Sequence, residues 1–119
     1  MKYAKFPDFF VPLQSEIRIE KMRTTIECIE LIKAHAEEMR TMFGVRTLRL
    51  FGSVSRGEQH EGSDIDVCVE MAPALYLVVR LKRFLEQLFQ CPVDVVRMHK
   101  HMNPYLLDNI EKDGIYVIQ

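Results

Sequence analysis

"LFGSVSRGEQHEGSDIDVCVE", residues 50–70, sets two acids two apart at the mouth of an apolar run. Side chains alternate faces along a strand, so Asp64 and Asp66 share one side, with Cβ atoms roughly 7 Å apart. At that separation and an effective dielectric of about 20, their repulsion is about 2–3 kcal/mol before any desolvation cost. No Lys or Arg lies within residues 63–70 to neutralise them. One reading is a turn acid followed by an edge-strand acid facing water. The other is a divalent cation: oxygen-only ligands on a rigid strand suit Mg²⁺, which takes one or two carboxylates and completes its octahedron with water and substrate phosphate. Upstream, a strand ends at Gly52-Ser53 and leads towards a short helix, where unpaired N–H groups and a hydroxyl favour a phosphate. Gly52 lets the backbone approach closely. A Gly-Ser turn alone is weak, and neither GxxxxGK nor GxGxxG is present.

Outward from this stretch the pattern alternates helix and strand. Thr24 and Glu27 form a capping box, and Ile26, Ile29, Ile32, Ala36, Met39 and Phe43 repeat at helical spacing up to Gly44, predicting one amphipathic helix. Residues 45–51 alternate as a strand, and the next strand runs from about Ser63 to Glu70. Residues 75–89 put Val78, Leu81, Leu85 and Leu88 on one helical face, and Pro92 bars continuation. "VDVV", residues 93–96, is a short strand interrupted by Asp94. Asn103 before Pro104 caps a further helix ended by Gly114, and "IYVI", residues 115–118, is a last strand. Alternating elements of this kind predict an α/β fold, a sheet covered by helices.

Asp94 reads two ways. Alternation would turn Val93 and Val95 inward and leave Asp94 in solvent. With an acidic pair elsewhere in the sheet, a third carboxylate gains a purpose: it holds a second metal or accepts a proton from an attacking hydroxyl. A phosphate-cradling turn with three strand carboxylates supplies the parts of two-metal nucleotidyl transfer. A DxDxT phosphatase is disfavoured, because there the apolar strand precedes the acids.

The chain has 119 residues, 48% hydrophobic and 28% charged, which fits one domain. We divide it into an N-terminal extension, residues 1–23, and a domain, residues 24–119. A net charge of -1 advertises neither a nucleic-acid nor a membrane partner. Cys28, Cys68 and Cys91 are far apart without a CxxC pair, and read as reduced core thiols. The longest apolar stretch, residues 74–79, is too short for a bilayer, and no cleavage pattern is seen in "MKYAKFPDFF", so a cytoplasmic protein is expected.

These motifs, "LFGSVSRG", "SDIDVCV" and "PVDVV", resemble the minimal nucleotidyltransferase (MNT) group of the DNA polymerase beta superfamily over about residues 26–118. The resemblance implies a small mixed sheet flanked by helices, with α/β (α+β) architecture. It implies that Gly52 and Ser53 bind a triphosphate, that Asp64, Asp66 and Asp94 are catalytic metal ligands for Mg²⁺, and that Arg56 shapes the turn or neutralises phosphate, a structural ion pair being the alternative. Val54 stands where many relatives carry a further arginine. The implied reaction is attack by an acceptor hydroxyl on the α-phosphorus of ATP.

No acceptor-binding domain is evident, so the resemblance points to another chain as acceptor: the HEPN-type toxin of HEPN–MNT toxin–antitoxin pairs, adenylylated by the MNT antitoxin. Alternatives are a non-catalytic module that neutralises a partner by occlusion, or a small-molecule nucleotidyltransferase acting across a homodimer. His99 and His101 read as a solvated loop, His35 as a core or boundary residue, and His60 as part of the polar loop before Asp64.

Overall fold

The computed structural model describes residues 24–58 and 64–119; the extension, Ser63 and His60 lie outside them. In chain order these residues form helices α1 (Thr25–Ala34) and α2 (Ala36–Phe43), strand β1 (Thr47–Phe51), a 3₁₀ turn (Gly52–Val54) and strand β2 (Ile65–Glu70). Helix α3 (Leu75–Phe89), strand β3 (Val93–Arg97), helix α4 (Pro104–Asp113) and strand β4 (Ile115–Ile118) follow. The sheet order is β3-β2-β1-β4. β1 is antiparallel to both β2 and β4, and β2 is parallel to β3, which makes the small sheet mixed as expected.

The helices divide unequally between the two faces. Leu48, Leu50, Val67, Val69, Val93 and Ile118 join Cys28 and Ile32 of α1, Met39 and Phe43 of α2, and Leu81, Leu85 and Phe89 of α3 in the main core. On the opposite face a smaller cluster of Phe51, Cys68 and Ile110 of α4 is extended by Val96, Met98, Met102 and Leu106. Period-two alternation sends neighbouring strand residues to different clusters, Val67 to one and Cys68 to the other.

The single helix expected over 24–43 is two. His35, at φ -114° and ψ 15°, breaks the ladder; its N–H bonds Ile32 O at 3.1 Å. Its Nδ1 lies 2.6 Å from Glu38 Oε1, and its ring meets Phe84 edge-on. The buried face runs through Cys28, Ile32, Met39 and Phe43, and Ile26, expected inward, is 68% exposed. The capping box at Thr24 and Glu27 forms as read, and Gly44 closes α2 in the left-handed region. Asn103 Oδ1 accepts from the N–H groups of Tyr105 and Leu106, capping α4 behind Pro104. No helix among the described residues is long and apolar enough to cross a membrane.

Candidate active site

The turn after β1 is built from the backbone outward. Gly52 has φ +75°, and a Cβ there would overlap Asp66 Oδ2, so two separate constraints select glycine. Its carbonyl accepts from Ser55 N at 3.1 Å and from Ser55 Oγ at 2.8 Å. The Ser53 carbonyl accepts from Arg56 N at 3.2 Å and Glu58 N at 2.9 Å. With the carbonyls drawn back into the turn, its leading N–H groups lack partners within it, as at any helix start. The Ser53 hydroxyl makes no hydrogen bond among the described residues. Fully buried Val54 anchors the turn in the main core, and Thr25 Oγ1 donates to the Val54 carbonyl.

The acids come to this turn through strand register. Asp66 is paired with Phe51 on β1 and with Asp94 on β3. Because Ile65 and Val67 on β2, and Val93 and Val95 on β3, point to the main core, Asp66 and Asp94 both leave the sheet on the α4 side. Asp66 is half-buried and Asp94 exposed. Burial pushes the Asp66 carboxyl above its ordinary range; the Asp94 and then the Asp64 charge add to this, and Arg56 opposes it. Asp64 is exposed just before β2 and does not line the cleft, although its charge is felt at Asp66.

Phe51, Gly52, Ser53, Asp66 and Asp94 form one wall of an open cleft of about 580 Å³. Leu106, Asn109 and Asp113, three and four residues apart on one face of α4, form the facing wall. Arg56 closes one end. Its Nη1 is 2.6 Å from Asp113 Oδ2 and its Nε is 2.9 Å from Glu58 Oε1, so the guanidinium is engaged in ion pairs, the second of the two sequence readings. Both carboxylates raise its pKa. Of the residues singled out from sequence, the fold thus brings Gly52, Ser53, Arg56, Asp66 and Asp94 to one cleft.

Among the described residues no group of three or more His, Cys, Asp or Glu side chains is set to hold a metal. Two carboxylates in one row, facing an open cleft, nevertheless fit an oxygen-seeking divalent ion that keeps several waters. Sequence reasoning missed the facing wall. Leu106, Asn109 and Asp113 carry no motif; their helical spacing was the one available signal.

One strand pair further along the same face, Arg49 is 8% exposed beneath α4. Its guanidinium lies over the Tyr116 ring, 4.6 Å from the centroid, and its Nη2 is 3.7 Å from Met98 Sδ. Cys68, opposite it in register, is buried, and burial pushes its thiol up to about 11. That thiol is therefore protonated and inert at neutral pH.

Comparison with known proteins identifies the family and the fold. The family model of the nucleotidyltransferase domain matches residues 32–117. The chain is 38% identical over 96 residues to the protein adenylyltransferase MntA of Thermococcus cleftensis, covering 78% of this chain and 96% of that one. Among solved structures, one described as a minimal nucleotidyltransferase superposes with a TM-score of 0.63 at 30% identity, covering 78% of this chain and 95% of that one. The MNT antitoxin complex with tri-AMPylated HEPN toxin from Shewanella oneidensis gives a TM-score of 0.54 at 19% identity, over 75% and 71% of the two chains, a likeness of fold.

Proposed function

The chain belongs to the nucleotidyltransferase domain family, in its minimal form, and from that premise we propose that it transfers AMP from ATP to a hydroxyl of a partner protein, a HEPN-type toxin. The observation that carries this reading is the convergence of Asp66 and Asp94 on the Gly52-Ser53 turn across a cleft open to a second chain. In the relative from Shewanella oneidensis, the HEPN toxin is the AMPylated component.

Asp66 and Asp94 would hold Mg²⁺, with Asp64 at the strand mouth adding negative charge to the same region. Bound there, the metal would neutralise triphosphate charge and favour ionisation of the acceptor hydroxyl. The protein supplies position. Ser53 Oγ and the leading N–H groups of the turn hold the β and γ phosphates, while Gly52 leaves room for the backbone to approach them. The acceptor oxygen forms a bond to the α-phosphorus, the bond to the bridging oxygen breaks, and pyrophosphate leaves from the turn. Asp94, the more exposed acid, is placed to take the acceptor proton.

The test is incubation of the protein with α-labelled ATP, Mg²⁺ and a co-encoded HEPN protein. Label should pass to the HEPN chain with wild type and fall by at least about a hundredfold with Asp66→Asn, the order expected when a charge-stabilising group is lost. Neutralisation of the toxin in cells by Asp66→Asn at equal abundance would instead establish occlusion.

A further inference from the structure

The wall of the cleft that faces the acids has no role in the chemistry above, yet its composition is specific. Along α4 the cleft meets Leu106, Asn109 and Asp113 in turn. At 1.5 Å rise per residue, Leu106 lies about 10 Å from Asp113 along the helix axis, with Asn109 between them. The Asp113 end is closed by Arg56. The Arg56–Asp113 pair ties this end of α4 to the Gly52–Val54 turn, so β and γ phosphates seated on Gly52-Ser53 lie at the closed end of the cleft. With the α-phosphorus at Asp66 and Asp94, the nucleoside extends the other way, towards Leu106.

That leaves two groups to meet the base. Leu106 is half-buried and offers an apolar side to a ring. Asn109 is exposed in the cleft and its carboxamide makes no hydrogen bond among the described residues. A carboxamide is uncharged, gains little from phosphate, and presents one donor beside one acceptor. This pattern is the complement of an adenine edge, where the N6 amine lies beside a ring nitrogen acceptor. We infer that Asn109, with Leu106 beneath the ring, reads the base of the nucleotide and selects adenine. This rests on the nucleotidyl-transfer reading, because it needs the triphosphate at Ser53.

The test is equilibrium titration of the full chain, with Mg²⁺, against AMP-PNP, GMP-PNP and inorganic tripolyphosphate. Wild type should favour AMP-PNP over GMP-PNP by about tenfold, as expected for one paired hydrogen-bonding edge. Asn109→Ala, an exposed change to a good helix former, should weaken AMP-PNP binding about five- to tenfold and leave tripolyphosphate unchanged. Asn109→Asp keeps the shape but loses the donor. Its carboxylate matches the adjacent N1–H and N2–H donors of guanine, so the preference ratio should move towards GMP-PNP. Equal binding of both nucleotides by wild type, with Asn109→Ala indistinguishable from it, would overturn the inference and leave the proposed function standing. Failure of wild type to bind any of the three probes would remove the proposed function itself, and this inference with it.

Discussion

Asp66 and Asp94 are register partners on adjacent parallel strands, and both side chains leave the sheet on the α4 side. Two like charges so placed oppose each other, and the half-buried Asp66 holds its proton above the ordinary carboxylate range. Because the folded-state pKa is raised above the unfolded value, the native state binds this proton more tightly. Stability from this group is therefore greatest in acid and falls as pH rises from the ordinary carboxylate range through the raised folded value. Asp66→Asn removes the ionisation. It should stabilise the metal-free protein at pH 7 by about 1 kcal/mol or less, given the partial exposure, and the gain should vanish below the carboxylate range. Denaturant melts of both proteins across pH check this; a gain that persists unchanged into acid contradicts it.

The same pair predicts the effect of metal. Mg²⁺ should raise the melting temperature of wild type, and Mg²⁺ with AMP-PNP should raise it further. At a ligand concentration a hundred times its Kd the linkage is worth about 2.7 kcal/mol. Asp66→Asn and Asp94→Asn should each abolish most of the shift, measured by thermal denaturation with and without a chelator.

Gly52→Ala meets both constraints at once, the positive φ and the Asp66 carboxylate. It should cost about 1–3 kcal/mol of stability and abolish transfer. Gly52→Ala combined with Asp66→Ala removes the overlap but not the backbone strain. The double variant should recover part of the stability and none of the activity, which denaturation and a transfer assay read separately.

Arg56 and Asp113 join the 3₁₀ turn to the end of α4 by an exposed pair. A double-mutant cycle with Arg56→Ala and Asp113→Ala should give a coupling of about 0.2–1 kcal/mol that shrinks in high salt. A coupling that does not respond to salt would contradict a screened, surface interaction.

Much of this architecture was legible one residue at a time. Helix α3 over 75–89 and the Asn103-Pro104 start of α4 follow from amphipathic period and cap chemistry, both local. The break at His35 was not, because the apolar stripe continues across it and only tertiary packing against Phe84 marks the place. The acids were legible as residue types and their convergence was not. That Asp66 sits beside Asp94 depends on β2 pairing with β3 in parallel and in register, which no local pattern specifies. The Arg56 to Asp113 pair spans 57 residues and is equally non-local. Asn109 is invisible from sequence because a lone polar residue on a helix gains meaning only from what it faces.

The hydroxyl of Thr25 donates to the carbonyl of Val54, so the first turn of α1 is clasped to the 3₁₀ turn proposed as the seat of the triphosphate. Whatever tension reaches the chain at Thr24 is passed across one bond to the residue that ends that seat. A fusion or antibody fragment pulling there is, in mechanical terms, a hand on the site, and Thr25→Val would let go of it.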